Sequence, residues 1–240
     1  MGEECDWRTA LKSYRLNFIV EGKTEERFVN QVLQSYFADQ AIYTAVHCVT
    51  TRRDRRMPNI MERGGLTTYR HAYKDIQKWI KEEKTENVRF TTMFDLYRLP
   101  PNFPGYEDAN NESDPYVRVR ALEKALEESI CDRRFIPYIQ LHEFEALLFS
   151  DIQQLSLQVP EYSKEIHKLV KIASDFSSPE LINDGRTTAP SKRIIEAIPE
   201  YNNLKAFVGP IVTSKIGLPI LKSQCQHFRE WLEKLTTAFT

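Results

Sequence analysis

The 240-residue chain sets 33 lysines and arginines against 34 aspartates and glutamates, a formal net charge of −1, which excludes a global drive towards nucleic acid or membrane and leaves polyanion contact to local basic clusters. A hydrophobic content of 41% with 11% aromatics fits a soluble globular chain long enough to bury a sizeable core. Four scattered cysteines (Cys5, Cys48, Cys131, Cys225) form no CxxC pair, no apolar run reaches membrane-span length and the amino terminus lacks a signal-peptide pattern, so the expectation is a reduced, cytoplasmic protein without disulfides, a cysteine zinc site or a membrane partner.

The apolar run Leu16–Val20 reads as a buried strand that stops abruptly at Glu21 and Gly22. Thr24 is a plausible N-cap for the helix that follows, with Glu25 and Glu26 in a first turn that favours negative charge. Phe28, Val29, Val32, Leu33, Tyr36 and Phe37 recur at helical spacing. Ala41–Val49 is rich in β-branched and aromatic residues and predicts a second strand. A polar, basic stretch over 51–63 and the Gly64-Gly65 break lead into a second amphipathic helix marked by Tyr69, Ala72, Tyr73, Ile76 and Ile80. Val88–Phe94 predicts a third strand, and it too ends in an acid, Asp95.

Prolines, asparagines and a glycine over 99–113 predict a long loop, and Asp114-Pro115 predicts a helix start with a capping side chain and proline at the first position. Val119, Leu122, Leu126 and Ile130 supply that helix's apolar face. Phe135–Leu141 predicts a fourth strand, with Pro137 pointing to an edge or a strand start, running into His142-Glu143-Phe144-Glu145. Strands alternating with helices over 1–150 predict a mainly parallel, three-layer α/β domain. Residues 151–240 show helical patterns at 166–176, 192–198 and 218–235 without a clear strand, and predict a helical carboxy-terminal appendage.

Glu21 and Asp95 each close a predicted parallel strand, so the fold can bring them to the sheet edge where open α/β proteins bind ligands. Two close carboxylates repel unless a cation or a proton neutralises them. Oxygen donors of this kind suit Mg²⁺ or Mn²⁺, and Glu25, one helical turn on, can join the set. In the following segment, a helical chain puts His142 and Glu145 on one face, whereas an extended one puts Glu143 and Glu145 together. The H-E-x-x-H zinc pattern fails because Ala146 stands at the second histidine position, and Lys23-Thr24 fails as a P-loop because Asn17 occupies the place of its first glycine. Arg52, Arg53, Arg55 and Arg56 in one loop, and Arg186, Lys192 and Arg193 in another, are the candidate phosphate contacts. The apolar faces of the carboxy-terminal helices are core or interface, so a homo-oligomer stays open.

Val20-Glu21-Gly22 followed by a strand-ending aspartate resembles the Toprim domain shared by topoisomerases, primases and overcoming-lysogenization-defect nucleases. The phrases FIVEGKTEERFV, MFDLYRLPPNFPG, RFIPYIQLHEFEALLFSD, SPELIND and APSKR extend a closer resemblance over nearly the whole chain, to an uncharacterised bacterial Toprim-like family of unknown function. The resemblance implies a Toprim/Rossmann-like fold and a Mg²⁺-dependent (or Mn²⁺-dependent) phosphodiesterase, a DNA or RNA nuclease, acting in phage or mobile-element defence with a nearby ABC- or SMC-type ATPase. Glu21 would be a metal ligand or general base, Asp95 a metal ligand, Glu25 and one of Glu143 or Glu145 further ligands, and His142 the group that orients water or phosphate. One departure is plain: the D-x-D pair of the Toprim pattern reads Asp95-Leu96-Tyr97 here. A non-catalytic subunit that binds an ATPase or nucleic acid through a degenerate site is the competing expectation.

Overall fold

The computed structural model of the protein describes residues 13–53, 61–63, 66, 68–182, 185 and 187–239, with backbone only over 50–53 and 61–63. β1 (Tyr14–Val20) leads into α1 (Lys23–Phe28), which continues through a π-helical turn (Val29–Leu33) into α2 (Gln34–Ala38). β2 (Ile42–Cys48) follows, then a small antiparallel ribbon of β3 (Thr50–Arg53) and β4 (Met61–Arg63), and α3 (Tyr69–Glu82). β5 (Val88–Asp95) and the single turn α4 (Tyr106–Ala109) precede α5 (Pro115–Ile130) and the short strands β6 (Phe135–Ile136) and β7 (Ile139–Gln140). After 3₁₀ turns come α6 (Ser163–Ser174), α7 (Pro190–Ala197), α8 (Tyr201–Ile216), α9 (Leu218–Gln224) and α10 (Gln226–Thr237).

The main sheet has the order β2-β1-β5-β6, with β7 also on β5, and every pairing described in it is parallel. The chain leaves β1 for β2 on one side and returns to β5 on the other, so the strand order reverses between β1 and β5. That switch point is where open α/β sheets form a ligand crevice, at the carboxyl ends of the strands. Period-two alternation divides the strand side chains between two cores. Leu16, Phe18, Val20 and Met93 face α1, α8 and α10, whereas Ile19, Phe90 and Phe94 face α3 and α5. The expected mainly parallel α/β sheet flanked by helices, with carboxy-terminal helices, is therefore the observed architecture.

Local chemistry explains several element ends. The Asp114 carboxylate accepts from Tyr116 N (2.8 Å) and Val117 N (3.3 Å), the cap read from the sequence. The expected fourth strand splits in two, because Pro137 has no N–H to give a ladder. Across the gap the Thr92 hydroxyl accepts from Tyr138 N and donates to Tyr138 O, both at 2.9 Å. Thr24 is not the cap of α1, which begins at Lys23 after an extended Gly22. Part of the stretch expected to be loop after β2 pairs as the β3–β4 ribbon, and α4 interrupts the loop expected over 99–113. The helix expected over 218–235 breaks at Cys225 into α9 and α10.

The sequence reading missed α8, whose interior holds Pro210. Proline there deprives the carbonyl four residues earlier, Ala206, of its helical donor. Arg27 of α1 supplies the missing hydrogen bond through Nη1 at 2.9 Å, and its guanidinium lies 5.2 Å from the Phe207 ring centroid. Gly209 lets α8 close on the segment after β7, since a Cβ there would stand 3.0 Å from the Phe144 ring. Gly217, at φ +82°, then turns the chain by 89° into α9. Among the described residues no single helix is long and apolar enough to cross a membrane.

Trp231 of α10 seals these helices to the sheet. It is buried, stacks on Tyr138 at 4.0 Å, meets Phe18 edge-on, and donates to the Thr91 hydroxyl at 2.9 Å. One apolar cluster therefore joins β1 to residues beyond 151. Trp231→Ala is expected to cost about 3–5 kcal/mol in urea unfolding, and wild type should unfold in a single transition with fluorescence and circular dichroism coincident. Two separate transitions would show that the helices after 151 fold independently of the sheet.

Candidate metal and phosphate site

Because β1, β5 and β7 run parallel and side by side, their carboxyl ends share one edge of the sheet. Val20 pairs with Met93, and Asp95 with Gln140. Glu21 therefore lands beside Asp95, whose N–H donates to Glu21 Oε2 at 3.3 Å. Asp95 in turn accepts from Phe144 N through Oδ1 at 2.9 Å, which fixes the chain leaving β7. Glu25, in the first turn of α1, reaches back to Gly22 N at 2.8 Å, a cap made from the third helical position.

His142 has a left-handed backbone at φ +60°, a conformation that costs a non-glycine residue about 1–2 kcal/mol. Its carbonyl accepts from Tyr97 N at 2.8 Å, which ties the turn after β5 to the turn after β7. Glu143 is extended and Phe144–Ser150 is a 3₁₀ segment, so neither regular geometry expected for this stretch is the one found. Glu143 holds the start of α7, accepting from both Ser191 N and Ser191 Oγ. Glu145 faces inward among the other acids. Glu21, Glu25, Asp95, His142, Glu143 and Glu145 are each no more than 8% exposed.

Five carboxylates thus crowd one buried edge. Burial pushes Asp95 well above the usual carboxylate range, with the charges of Glu21, Glu25, Glu145 and Glu143 adding to it. Burial and then the Glu21 charge push Glu25 up to about 8. Burial and then Glu143 push Glu145 up to about 7. Glu21 is raised by burial as well, against the pull of the Asp95 and Leu66 amides and of the Arg98 and Lys205 charges. The buried Tyr201 hydroxyl is held protonated by burial and by the neighbouring Glu145 and Glu143.

Glu143, alone of the five acids, lines a cavity of about 470 Å³ together with Tyr97, Arg98, Ser191, Lys192 and Lys205 among others. Of the basic residues singled out from the sequence, Lys192 lines this cavity. Arg193 is turned away, donating to Thr188 O at 2.8 Å with its guanidinium 5.8 Å from the Phe176 ring centroid. Arg52 and Arg53 lie in β3, which starts two residues after β2 ends, so its backbone leaves the same edge of the sheet. Arg55, Arg56 and Arg186 lie outside the described residues. Sequence reasoning missed Arg98, Ser191, Tyr201 and Lys205. Arg98 stood in a phrase already quoted, three residues after Asp95, but Lys205 comes from the unforeseen α8.

The donor chemistry fits a hard divalent cation. Glu21, Glu25, Asp95 and Glu145 are oxygen donors, Asp95 and Glu25 each commit one oxygen to a backbone amide, and among the described residues the Arg98 and Lys205 charges oppose the clustered negative charge. Among the described residues no three His, Cys, Asp or Glu side chains stand converged at ligand spacing.

An open, mainly parallel sheet flanked by helices, with buried acids at its switch point, defines an α/β protein. The chain belongs to the family described as Domain of unknown function (DUF4276), which it matches over residues 20–236. Comparison with curated proteins and with solved structures finds no match.

Carboxyls whose folded pKa lies above the unfolded value contribute stability that is complete below about pH 4.3 and lost as pH rises through the folded values. For Glu145 and Glu25 those values are about 7 and about 8. In chelator, their contribution to stability should therefore fall between about pH 5 and pH 9. Glu25→Gln should make the decline shallower and gain at least about 1.4 kcal/mol at alkaline pH, one unit of linkage. Chemical denaturation across that range checks it, and an unchanged slope in the variant would refute it.

Proposed function

We propose that the protein is a divalent-cation-dependent phosphodiesterase, a nuclease acting on DNA or RNA. The observation that supports this reading is the clustering of Glu21 and Asp95, at the ends of adjacent parallel strands, with Glu145 of the following 3₁₀ segment, near a cavity lined by Arg98, Lys192 and Lys205. Acids beside bases are the complement of a cation and a phosphate. The Val20-Glu21-Gly22 context and the strand-ending Asp95 support kinship with the Toprim domain of overcoming-lysogenization-defect nucleases. That resemblance also supports a role in phage or mobile-element defence beside an ABC- or SMC-type ATPase.

In this reading Glu21 and Asp95 hold Mg²⁺ or Mn²⁺, with Glu25 and Glu145 as the further carboxylates. Such a cation, when bound, lowers the pKa of water and stabilises charge on the phosphoryl group. Glu143 is a positioning residue, because both its oxygens already hold Ser191 and the start of α7. His142 is assigned the orientation of water or phosphate, and Arg98, Lys192 and Lys205 the electrostatic hold on the substrate.

The test is cleavage of mixed DNA and RNA substrates with Mg²⁺ or Mn²⁺, with and without any ABC- or SMC-type ATPase found encoded nearby. Glu21→Gln should lower the rate about a hundredfold or more, the usual scale for removing one charge-stabilising group, and chelation should abolish cleavage. Full cleavage by Glu21→Gln would sink the assignment. A second reading is a binding subunit without turnover. It is favoured by Tyr97 in place of the second acid and by the commitment of Glu143 to Ser191. Absence of cleavage under every condition, with an ATPase complex that survives Glu21→Gln, would decide for it.

A further inference from the structure

The cavity at the site carries information about the form of the substrate. Arg98 leaves the turn after β5 and Lys205 projects from α8, so the two cations come from separate elements of the cavity lining. Both act electrostatically on Glu21 and on Glu145. Yet among the described residues neither side chain makes a hydrogen bond or closes an ion pair. Cations that face an acidic cluster without contacting it leave room for an anion. The Tyr97 ring, 38% exposed, lines the same cavity and stacks on no other aromatic ring among the described residues.

The exposed Tyr97 ring decides between a duplex and a single strand. The cavity of about 470 Å³ is in the range that takes one small ligand. Glu143 lines it, and the other acids of the cluster are almost wholly buried. A base stacked inside a duplex has no free face for the Tyr97 ring, whereas an unpaired strand can lay its phosphate by the cations and stack its base on an aromatic ring.

We infer that Tyr97, Arg98 and Lys205 form a seat for one unpaired nucleotide of a single nucleic-acid strand, the two cations holding its phosphate and the tyrosine ring stacking its base. This rests on the phosphodiesterase reading for its chemistry but is tested by binding alone. The seat makes the protein selective for single-stranded regions or frayed ends over blunt duplex.

The experiment is fluorescence anisotropy with the full chain, a short labelled single-stranded oligonucleotide and a blunt duplex of the same length, in Ca²⁺ and again in chelator. The single strand should bind more tightly than the duplex. Arg98→Ala and Lys205→Ala should each weaken it about tenfold or more, and each should make the dependence of log K on log salt shallower by about 0.7. Tyr97→Ala should weaken binding and Tyr97→Phe restore it, which separates stacking from any use of the hydroxyl. Equal affinity for duplex, no binding in either condition, or affinity and salt slope untouched by both cation variants would overturn the inference. Failure of the phosphodiesterase reading looks different: no cleavage with Mg²⁺, while strand binding and its loss in the variants persist.

Discussion

Burial of carboxylates at the carboxyl ends of adjacent parallel strands is the constraint on which the rest of the structure depends. An isolated buried charge costs several kcal/mol, so the fold must supply compensation within a few ångströms. It does so with backbone amides: Asp95 N for Glu21, Gly22 N for Glu25, Phe144 N for Asp95 and Ser191 N for Glu143. Each donor is itself placed by a strand end or a helix start, so the polar network and the strand register specify one another. What the amides leave over is a net acidity that protons, Arg98 and Lys205 share. An arrangement of that kind is poor at maximising stability.

The carboxy-terminal helices are part of this arrangement. Ser191 at the start of α7 fastens Glu143, Tyr201 and Lys205 of α8 stand against the acids, and Trp231 of α10 closes the core over the sheet. α8 reaches its position through two departures from regular helix chemistry. Pro210 frees a carbonyl that Arg27 of α1 takes up, and Gly209 permits contact with Phe144. The helix that carries Glu25 and the helix that carries Lys205 are joined by that hydrogen bond, so the acidic and basic sides of the site are packed against one another.

Much of the acidic side was legible along the chain. Glu21 and Asp95 are visible because an apolar strand that stops at an acid leaves that acid no packing role, and the alternating strands and helices bring such ends to one edge. Glu25 was readable as a first-turn acid, although its cap partner proved to be Gly22 N. The His142–Glu145 stretch could not be resolved, because a left-handed histidine followed by an extended glutamate belongs to neither periodic template. Lys205 was out of reach for another reason. Local propensity argues against a helix through Pro210, and only a donor from a different helix makes that helix acceptable.

The sequence by itself determined the parallel α/β architecture, the strands whose ends carry acids and the membership of a family without assigned function, since these follow from hydrophobic periodicity and from contiguous residue patterns. Tertiary structure alone decided which acid serves which purpose. Glu143 became a tether because α7 begins at its carboxylate, and Glu145 joined the cluster because the 3₁₀ turn points it inward. It also brought Arg98 and Lys205 to one cavity from positions 107 residues apart. The physical reason is that electrostatic roles depend on distances between elements, which local sequence does not encode, whereas element type depends on neighbours three or four residues away, which it does.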